Sequence, residues 1–234
     1  KEKKIKTVFG IIGSANSHIF DSIHNLGYTT IINTHHEQAA VMAMGAHFRA
    51  SGELSATIVT AGGGASNAVT GVVSNWADSI PGFIISGNES SNHIKEHEGL
   101  RMYGTQGFNI SKMISDVTKY SHCLMNENDI QSELEKCFNI TMEDRKGPTW
   151  LDIPFDIQSK KVEKKSWNPS QPPINNKTNH SQYIIDAINN SKRPLVLGGH
   201  GVRLSNSKDK FNNFITSTSL PTTLTWSSID LMGN

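Results

Sequence analysis

The sequence predicts an α/β fold: a largely parallel sheet flanked by helices, followed by a second, truncated Rossmann-like α/β domain. Through the first two thirds of the 234 residues, short apolar runs alternate with stretches whose apolar residues recur at helical spacing. Such alternation is typical of βαβ units, which build parallel sheets. The alternation stops once, at 159–180, where five lysines and three prolines replace any apolar periodicity.

The elements of the first unit are predicted from short apolar runs and from helical spacing. Strands are expected at 7–12, 28–33, 54–60, 82–86, 117–124 and 148–153. Helices are expected at 17–26, 37–51, 65–78 and 129–144, the second of them rich in alanine and ended by Gly52. The polar stretch 88–109 has few signals of either kind and is predicted to be a long loop, either functional or mobile.

The interruption at 159–180 divides the chain into domains. We expect a first domain at 1–158, a linker at 159–180 and the start of a second domain at 181–234. In that second domain we expect helices at 181–190 and 208–218 and strands at 193–199 and 220–226. Neither end of the sequence lies at an expected domain boundary, so we expect it to be part of a longer protein.

Composition narrows the class of protein. The 22 basic and 21 acidic residues leave a net charge of +1, which does not favour nucleic acid or an anionic membrane as a partner. No apolar run approaches the roughly 18 residues of a membrane span, and no signal peptide opens the chain. Cys123 and Cys137 form no Cys-x-x-Cys motif and are expected to be buried, reduced thiols. These features predict a soluble cytoplasmic protein.

Glu37 follows a predicted strand and opens the alanine-rich helix. Ligands bind at the carboxyl ends of strands in open parallel sheets, and the helix dipole stabilises a carboxylate in the first turn. Two interpretations remain at this point: Glu37 is functional, or it only complements the dipole. A zinc helix does not fit, because Ala40 stands where a His-Glu-x-x-His motif starting at His36 needs its second histidine.

A run of glycines, Gly62 to Gly64, marks the next passage from strand to helix. Glycine allows close approach of the backbone to a ligand, although tight turns also use it for steric reasons. The spacing matches neither a P-loop nor a dinucleotide fingerprint. A second cluster at 198–201 also fails that fingerprint, since Leu204 occupies the place of the third glycine.

His93 and His97 stand four residues apart in the polar stretch. A two-histidine metal site requires this segment to be helical. We favour a solvated charged loop, and we predict no metal ligands in this chain.

A set of short segments follows a characteristic order along the chain. They lie at 8–13 (Val-Phe-Gly-Ile-Ile-Gly), 36–40 (His-Glu-Gln-Ala-Ala) with Gly45, 49–52, 60–67 (Thr-Ala-Gly-Gly-Gly-Ala-Ser-Asn), 77–81 with Gly87, 118–120 and 147–158. Taken in this order, they resemble the acetolactate synthase-like enzymes that use thiamine diphosphate. Each is modest alone, but their order and intervals cover residues 8 to 158. The resemblance implies that this region is the domain that holds the aminopyrimidine of the cofactor.

The resemblance also implies roles for individual residues. Glu37 matches the glutamate that bonds to the pyrimidine N1′ and activates the cofactor, and Gln106 matches a glutamine that reaches the reacting centre. The cofactor-binding residues that it implies, besides Glu37, are Ile11, Ile12, Gly13, Thr60, Gly62, Gly64 and Asn67. Ile12 and Gly63 replace prolines that are common in relatives, and Thr105 replaces a phenylalanine, so the substrate stays open.

The activity that the resemblance implies is decarboxylation or carboligation of 2-oxo acids. Mg²⁺ and the diphosphate would be bound mainly by a third domain, whose Gly-Asp-Gly…Asn-like motif is not in this sequence. The central domain binds FAD in some relatives, and the active site forms between subunits of a homo-oligomer. We therefore expect this chain to be inactive alone. Two alternatives remain: an enzyme acting on an acyl-CoA or a cyclic dione, and a non-catalytic paralogue that keeps only the fold.

Overall fold

The computed structural model of the chain describes residues 3–163 and 179–232. The chain divides into two compact units, Lys1–Pro172 and Pro173–Asn234. The division falls inside the predicted linker at 159–180, of which 164–178 lies outside the described residues. The domain limits drawn from the sequence therefore stay a prediction.

The first unit contains a six-stranded sheet whose paired strands are all parallel, which confirms the predicted fold class. Its strands are β1 (Thr7–Gly10), β2 (Thr30–Asn33), β3 (Ala56–Val59), β4 (Gly82–Asn88), β5 (Tyr120–Cys123) and β6 (Pro148–Pro154). The order across the sheet is β2-β1-β3-β4-β6-β5. β3 and β6 are buried along their whole length. This is expected of inner strands that helices cover on both faces.

Eight α-helices accompany this sheet among the residues described. They are α1 (Ser17–Leu26), α2 (Glu37–Ser51), α3 (Gly63–Asn67), α4 (Val69–Ala77), α5 (Ser91–Glu96), α6 (Ile110–Met113), α7 (Ile130–Met142) and α8 (Phe155–Gln158). α1 and α2 begin and end where the sequence predicts. Both end at a glycine with positive φ, Gly27 at 62° and Gly52 at 72°, a conformation that suits residues without a Cβ.

Two predictions of local structure were wrong. The helix expected at 65–78 is two helices, because the N–H of Ala68 bonds to the carbonyl of Ala65, three residues back, and ends α3. The stretch 88–109, expected to be a loop, contains α5 and a short antiparallel bridge between Tyr103 and Gly107. The Ser90 hydroxyl caps α5 by accepting from the N–H of His93 at 3.4 Å.

The main core lies between the sheet and helices α2 and α4. Met44, Val41, Ile84 and Trp150 are completely buried there. A second cluster, around Leu151 and α7, lies on the other face of the sheet, since Leu151 follows Trp150 directly on β6 and consecutive strand residues point to opposite faces. Burying one such side chain contributes about 1.5–3 kcal/mol, so these clusters hold the helices firmly against the strands.

The second unit contains two parallel strands and three α-helices among its described residues. These are α9 (Ser181–Asn189), β7 (Val196–Gly198), α10 (Gly201–Leu204), α11 (Lys208–Thr218) and β8 (Thr222–Leu224). α10 was not predicted. Two strands are consistent with the start of a Rossmann-like unit but support it only in part. None of the helices in the described part of the chain is long and apolar enough to span a membrane.

Candidate active site

Glu37 is the first residue of α2, at the carboxyl end of the parallel strands. The preceding residue, His36, has an extended backbone, and its Nδ1 accepts a hydrogen bond from the N–H of Gln38 at 3.2 Å. Since His36 caps the helix, the Glu37 carboxylate does not serve as the cap. Instead, Glu37 Oε2 accepts a hydrogen bond from the side-chain amide of Asn67 at 3.1 Å. Two residues that the sequence analysis selected separately thus meet.

The glycine turn packs against the same carboxylate. A Cβ on Gly64 would lie 3.1 Å from Glu37 Oε1 and 2.6 Å from Thr60 Cγ2. A Cβ on Gly13 would lie 2.6 Å from Thr60 Oγ1. One continuous set of contacts therefore joins the loops after β1 and β3, helix α3 and the start of α2; its members are the predicted residues Gly13, Thr60, Gly64, Asn67 and Glu37.

Asn16 holds the loop that carries Gly13. This side chain is fully buried; its Nδ2 donates to the carbonyl of Ile11 at 3.0 Å, and its Oδ1 accepts from the N–H of Gly13 at 2.7 Å. Asn16 was not among the site residues predicted from the sequence. The signal available was an asparagine three residues after a glycine at a helix start, a spacing typical of local capping bonds.

The loop isoleucines are placed differently from one another. The N–H of Ile11 donates to the carbonyl of Ile58 at 3.4 Å, so its backbone continues the β1–β3 pairing. Ile12 is 61% exposed. Both remain beside Gly13 in sequence, and their roles as cofactor-binding residues stay predictions.

Gln106 reaches the other end of the glycine turn. Gly62 has a φ of 62°, and a Cβ there would lie 2.7 Å from the Gln106 carbonyl oxygen. The Gln106 side chain is exposed and lines a cavity of about 310 Å³ together with Ala61, Ser14 and Glu89. Gln106 and Glu37 thus approach the same turn at different glycines, Gly62 and Gly64.

A buried polar network lies on β4 and β6 beside this region. Asp152 is fully buried, and its two oxygens accept hydrogen bonds from Ser86 Oγ at 2.5 Å and from Asn88 Nδ2 at 2.6 Å. Trp150 Nε1 donates to Ser86 Oγ at 2.7 Å. Burial raises the pKa of Asp152 to about 7, although the bonds from Ser86, Asn88 and Cys123 act against this. A single carboxylate in the apolar run at 148–153 was an available signal for this network.

The two cysteines are free thiols, as expected. Cys137 is buried, whereas Cys123 is only half-buried and lies close to Asp152. Burial raises the pKa of the Cys123 thiol well above its ordinary value, and the carboxylate of Asp152 raises it further. A thiol in this state is a poor nucleophile, so the site does not rest on cysteine chemistry.

The polar stretch is helical at its two histidines, since His93 lies in α5 and His97 directly follows it. The His93 and His97 rings pack edge to face with their centroids 5.9 Å apart. Within residues 3–163 and 179–232, no group of three or more His, Cys, Asp or Glu side chains is arranged to hold a metal ion. The groups gathered here are instead a carboxylate, two amides and a glycine turn at the carboxyl edge of a parallel sheet.

Comparison with known proteins identifies this arrangement. Residues 1–113 match the family described as thiamine pyrophosphate enzyme, N-terminal TPP binding domain. The chain is 31% identical to the acetolactate synthase large subunit of Haemophilus influenzae over 95% of its length. It is 29% identical to the acetolactate synthase isozyme 3 large subunit of Escherichia coli and 28% identical to the chloroplastic acetolactate synthase of Arabidopsis thaliana, over 94% and 93% of its length. The chain thus resembles the acetolactate synthases over nearly its whole length, and its first half matches the thiamine pyrophosphate-binding domain family.

The chain spans only part of these acetolactate synthases. It covers 39% of the Haemophilus protein, 38% of the Escherichia protein and 32% of the Arabidopsis protein. The family match begins at residue 1 and includes the β1 loop, Glu37, the glycine turn and Gln106. All nine site residues predicted from the sequence therefore lie inside the matched region.

Proposed function

We propose that this chain supplies the pyrimidine-binding half of the active site in a thiamine diphosphate-dependent enzyme that decarboxylates or ligates 2-oxo acids. The observation that carries the proposal is the Glu37 carboxylate. Asn67 holds its Oε2 oxygen, and no donor among the described residues bonds to its Oε1 oxygen, which faces Gly64. A carboxylate oxygen in this position can share a proton with a ring nitrogen.

The residues around Glu37 fit such a group. Gly13 and Gly64 leave no room for side chains beside Thr60, so this wall is formed by backbone and by the Thr60 methyl and hydroxyl groups. A planar ring can approach a wall of this kind closely. When bound, thiamine diphosphate would supply the electron sink that a 2-oxo acid needs to lose carbon dioxide.

The chain's own residues then have distinct tasks. Glu37 holds a proton at Oε1, and Asn67 fixes the carboxylate in one orientation. Asn16 fixes the loop at 11–13, which borders the same wall. Gln106, at the other side of the glycine turn, presents an exposed amide that can hydrogen-bond to a substrate oxygen.

Further partners follow from the proposed family role. We propose that Mg²⁺ and the diphosphate are bound by residues outside this chain, that FAD is an option for the central domain, and that the site is completed across a homo-oligomer interface. The chain spans only 39% and 38% of the length of the Haemophilus and Escherichia relatives, which supports this proposal. The 234-residue chain alone, given cofactor and Mg²⁺, should release no carbon dioxide from pyruvate, and clear turnover would contradict this part.

Replacing Glu37 by Gln in the full-length protein tests the central role. Carbon dioxide release from pyruvate should fall by at least about 100-fold, since a positioned proton-transfer group contributes about 10²–10⁴-fold. The affinity for thiamine diphosphate, followed by tryptophan fluorescence, should change much less. Glu53→Gln is the matched control, because Glu53 is exposed and pairs with Lys6 at 3.0 Å. Wild-type turnover by Glu37→Gln would sink the proposal.

A further inference from the structure

Glu89 occupies a fixed position directly after β4. Its N–H donates to the side-chain oxygen of Asn88 at 2.9 Å, and Asn88 is itself bonded to the buried Asp152. On its other side, Ser91 donates to both oxygens of Asp156, from its N–H at 2.7 Å and its hydroxyl at 2.6 Å. Burial alone would raise the pKa of Asp156, but these bonds outweigh it and lower that pKa. The backbone around Glu89 is therefore tied down at both ends.

The segment 103–107 folds around the Glu89 side chain. Tyr103 and Gly107 exchange two backbone hydrogen bonds, of 2.7 and 3.0 Å, which close a short loop. A Cβ on Gly104 would lie 2.9 Å from Glu89 Cδ, and a Cβ on Gly107 would lie 2.5 Å from Glu89 Cγ. Only glycine at these two positions lets the loop close so tightly on the carboxylate.

The carboxylate bonds to the residues at the tip of this loop. The Thr105 hydroxyl and the N–H of Gln106 both donate to Glu89 Oε1, each at 3.3 Å. The side chain of Glu89 is 22% exposed, so solvent competes with these bonds only in part. On the opposite side, the Gln106 backbone packs against Gly62. Gln106 is thus held between Glu89 and the glycine turn.

We propose that Glu89 is a positioning residue that holds Gln106 in place beside the glycine turn. This inference rests on the proposed function, in which Gln106 contacts the substrate. His93 lies 3.8 Å from Glu89 Oε2, but its side chain is 52% exposed, and such pairs contribute little. The two donors on Oε1, both from the Gln106 loop, are therefore the contacts that matter. The role of Glu89 is to fix geometry, and it does not transfer a proton.

Hydrogen exchange tests the structural half without any catalysis. In Glu89→Ala, the backbone N–H of Gln106 loses its acceptor. Hydrogen exchange at the backbone amides of 103–107 should therefore become at least about 10-fold faster than in the wild-type chain. Glu89→Gln keeps an oxygen at the Oε1 position and should exchange at nearly the wild-type rate. Glu96→Ala removes a charge from an exposed site on α5 and serves as the control. Unchanged exchange at 103–107 in Glu89→Ala would overturn the inference.

Kinetics of the full-length protein test the functional half. Glu89→Ala should lower kcat about 10- to 100-fold, since misplacing a catalytic group by about 1 Å can cost about 100-fold. KM for pyruvate and the dissociation constant of thiamine diphosphate should stay within about twofold, and Glu89→Gln should restore most of kcat. A Glu89→Gln variant as impaired as Glu89→Ala would mean that the charge acts directly, and positioning would be wrong.

One comparison separates this inference from the proposed function. Gln106→Ala should lose as much kcat as Glu89→Ala, and the double variant should lose little more, because both changes disable one group. If Gln106→Ala is impaired but Glu89→Ala is not, positioning by Glu89 is overturned while the proposed function stands. If Gln106→Ala is fully active, the role given to Gln106 in the proposed function is the part that fails, and the inference falls with it.

Discussion

The side-chain amide of Asn67 donates to Glu37 Oε2 at 3.1 Å, which joins the last residue of α3 to the first residue of α2. The two residues are 30 positions apart in the chain. Because Asn67 occupies one carboxylate oxygen, the other is left toward Gly64 and the wall formed with Thr60. Asn67 therefore determines which oxygen of Glu37 faces the proposed cofactor position.

Changing Asn67 should impair the site in a graded way. Asn67→Ala removes one hydrogen bond to a charged group, worth about 1.5 kcal/mol, so kcat/KM for pyruvate should fall about 10-fold. Asn67→Asp should be worse, since it places a second carboxylate against Glu37. Ser66→Ala, at the neighbouring exposed position, is the control. Steady-state kinetics of the full-length protein decide the matter, and equal activity of the Ala and Asp variants would contradict it.

Two neighbouring glycines of the glycine turn, Gly63 and Gly64, should respond differently to replacement by alanine. Gly64→Ala brings a methyl group within 2.6 Å of Thr60 Cγ2, whereas Gly63→Ala meets nothing within 4 Å. Overpacking of this kind costs about 1–3 kcal/mol, and alanine in an open helical position is neutral or favourable. Urea unfolding should therefore show a loss for Gly64→Ala and none for Gly63→Ala. Equal stability of the two variants would mean that the Thr60 side chain moves aside at no cost in free energy.

A second change at Thr60 should rescue one glycine variant and not the other. Thr60→Ser removes Cγ2, the atom that Gly64→Ala strikes, so the double variant should regain most of the lost stability. The methyl group of Gly13→Ala would lie 2.6 and 2.7 Å from Thr60 Oγ1 and Cβ, and Thr60→Ser keeps both atoms. Thr60→Ser should therefore not restore the stability of Gly13→Ala in the same unfolding assay. Rescue of both variants, or of neither, would contradict the assignment of Thr60 Cγ2 to the Gly64 contact and of Oγ1 and Cβ to the Gly13 contact.

The parts of this fold that depend on local pattern could be predicted from the sequence. α1 and α2 have the predicted bounds because helical spacing and a terminal glycine mark each of them. The break at Ala68 could not be predicted, since alanine has the highest helix propensity and the break arises from a bond to Ala65. α5 was missed because Ser91 at its first turn is held by Asp156, 65 residues away.

The residues of the candidate site also divide into those that a local sequence pattern predicts and those that it does not. Glu37 and the glycine turn stand at strand-to-helix passages, which a sequence displays directly. The contacts that organise them differ in this respect. Asn16 bonds only to residues three and five positions away, and its spacing from Gly13 was a usable local signal. Glu89 acts through a loop whose residues lie 16 and 17 positions away, and bonds of this kind depend on tertiary packing, for which composition and periodicity carry no signal.

Asn16 should be required for stability as well as for the loop at 11–13. Asn16→Ala leaves the N–H of Gly13 and the carbonyl of Ile11 without their partner, and each buried unsatisfied group costs about 1–3 kcal/mol. We expect a loss of about 2–4 kcal/mol in urea unfolding and weaker binding of thiamine diphosphate. Ser14→Ala, an exposed change in the same turn, should have neither effect. An Asn16→Ala variant of wild-type stability would contradict the role of this side chain.

Asp152 should make the stability of the first unit depend on pH in an unusual direction. Its pKa rises from the ordinary 3.8 of an unfolded chain to about 7 in the folded protein, so between these values the folded state holds a proton that the unfolded state has lost. Stability from this group is therefore present below about pH 4 and is lost as the pH rises through 7.

Comparing wild type with Asp152→Asn isolates this effect, because the variant keeps the shape of the side chain without the titration. Relative to the variant, the wild-type free energy of unfolding should fall by up to on the order of 4 kcal/mol between pH 4 and pH 8 and stay level above that. Urea unfolding at several pH values, followed by tryptophan fluorescence, measures the difference, and Trp150 reports on this network because it donates to Ser86. Asp116→Asn, at an exposed position, is the control. A constant difference across this range would mean that the bonds from Ser86 and Asn88 keep Asp152 ionised throughout.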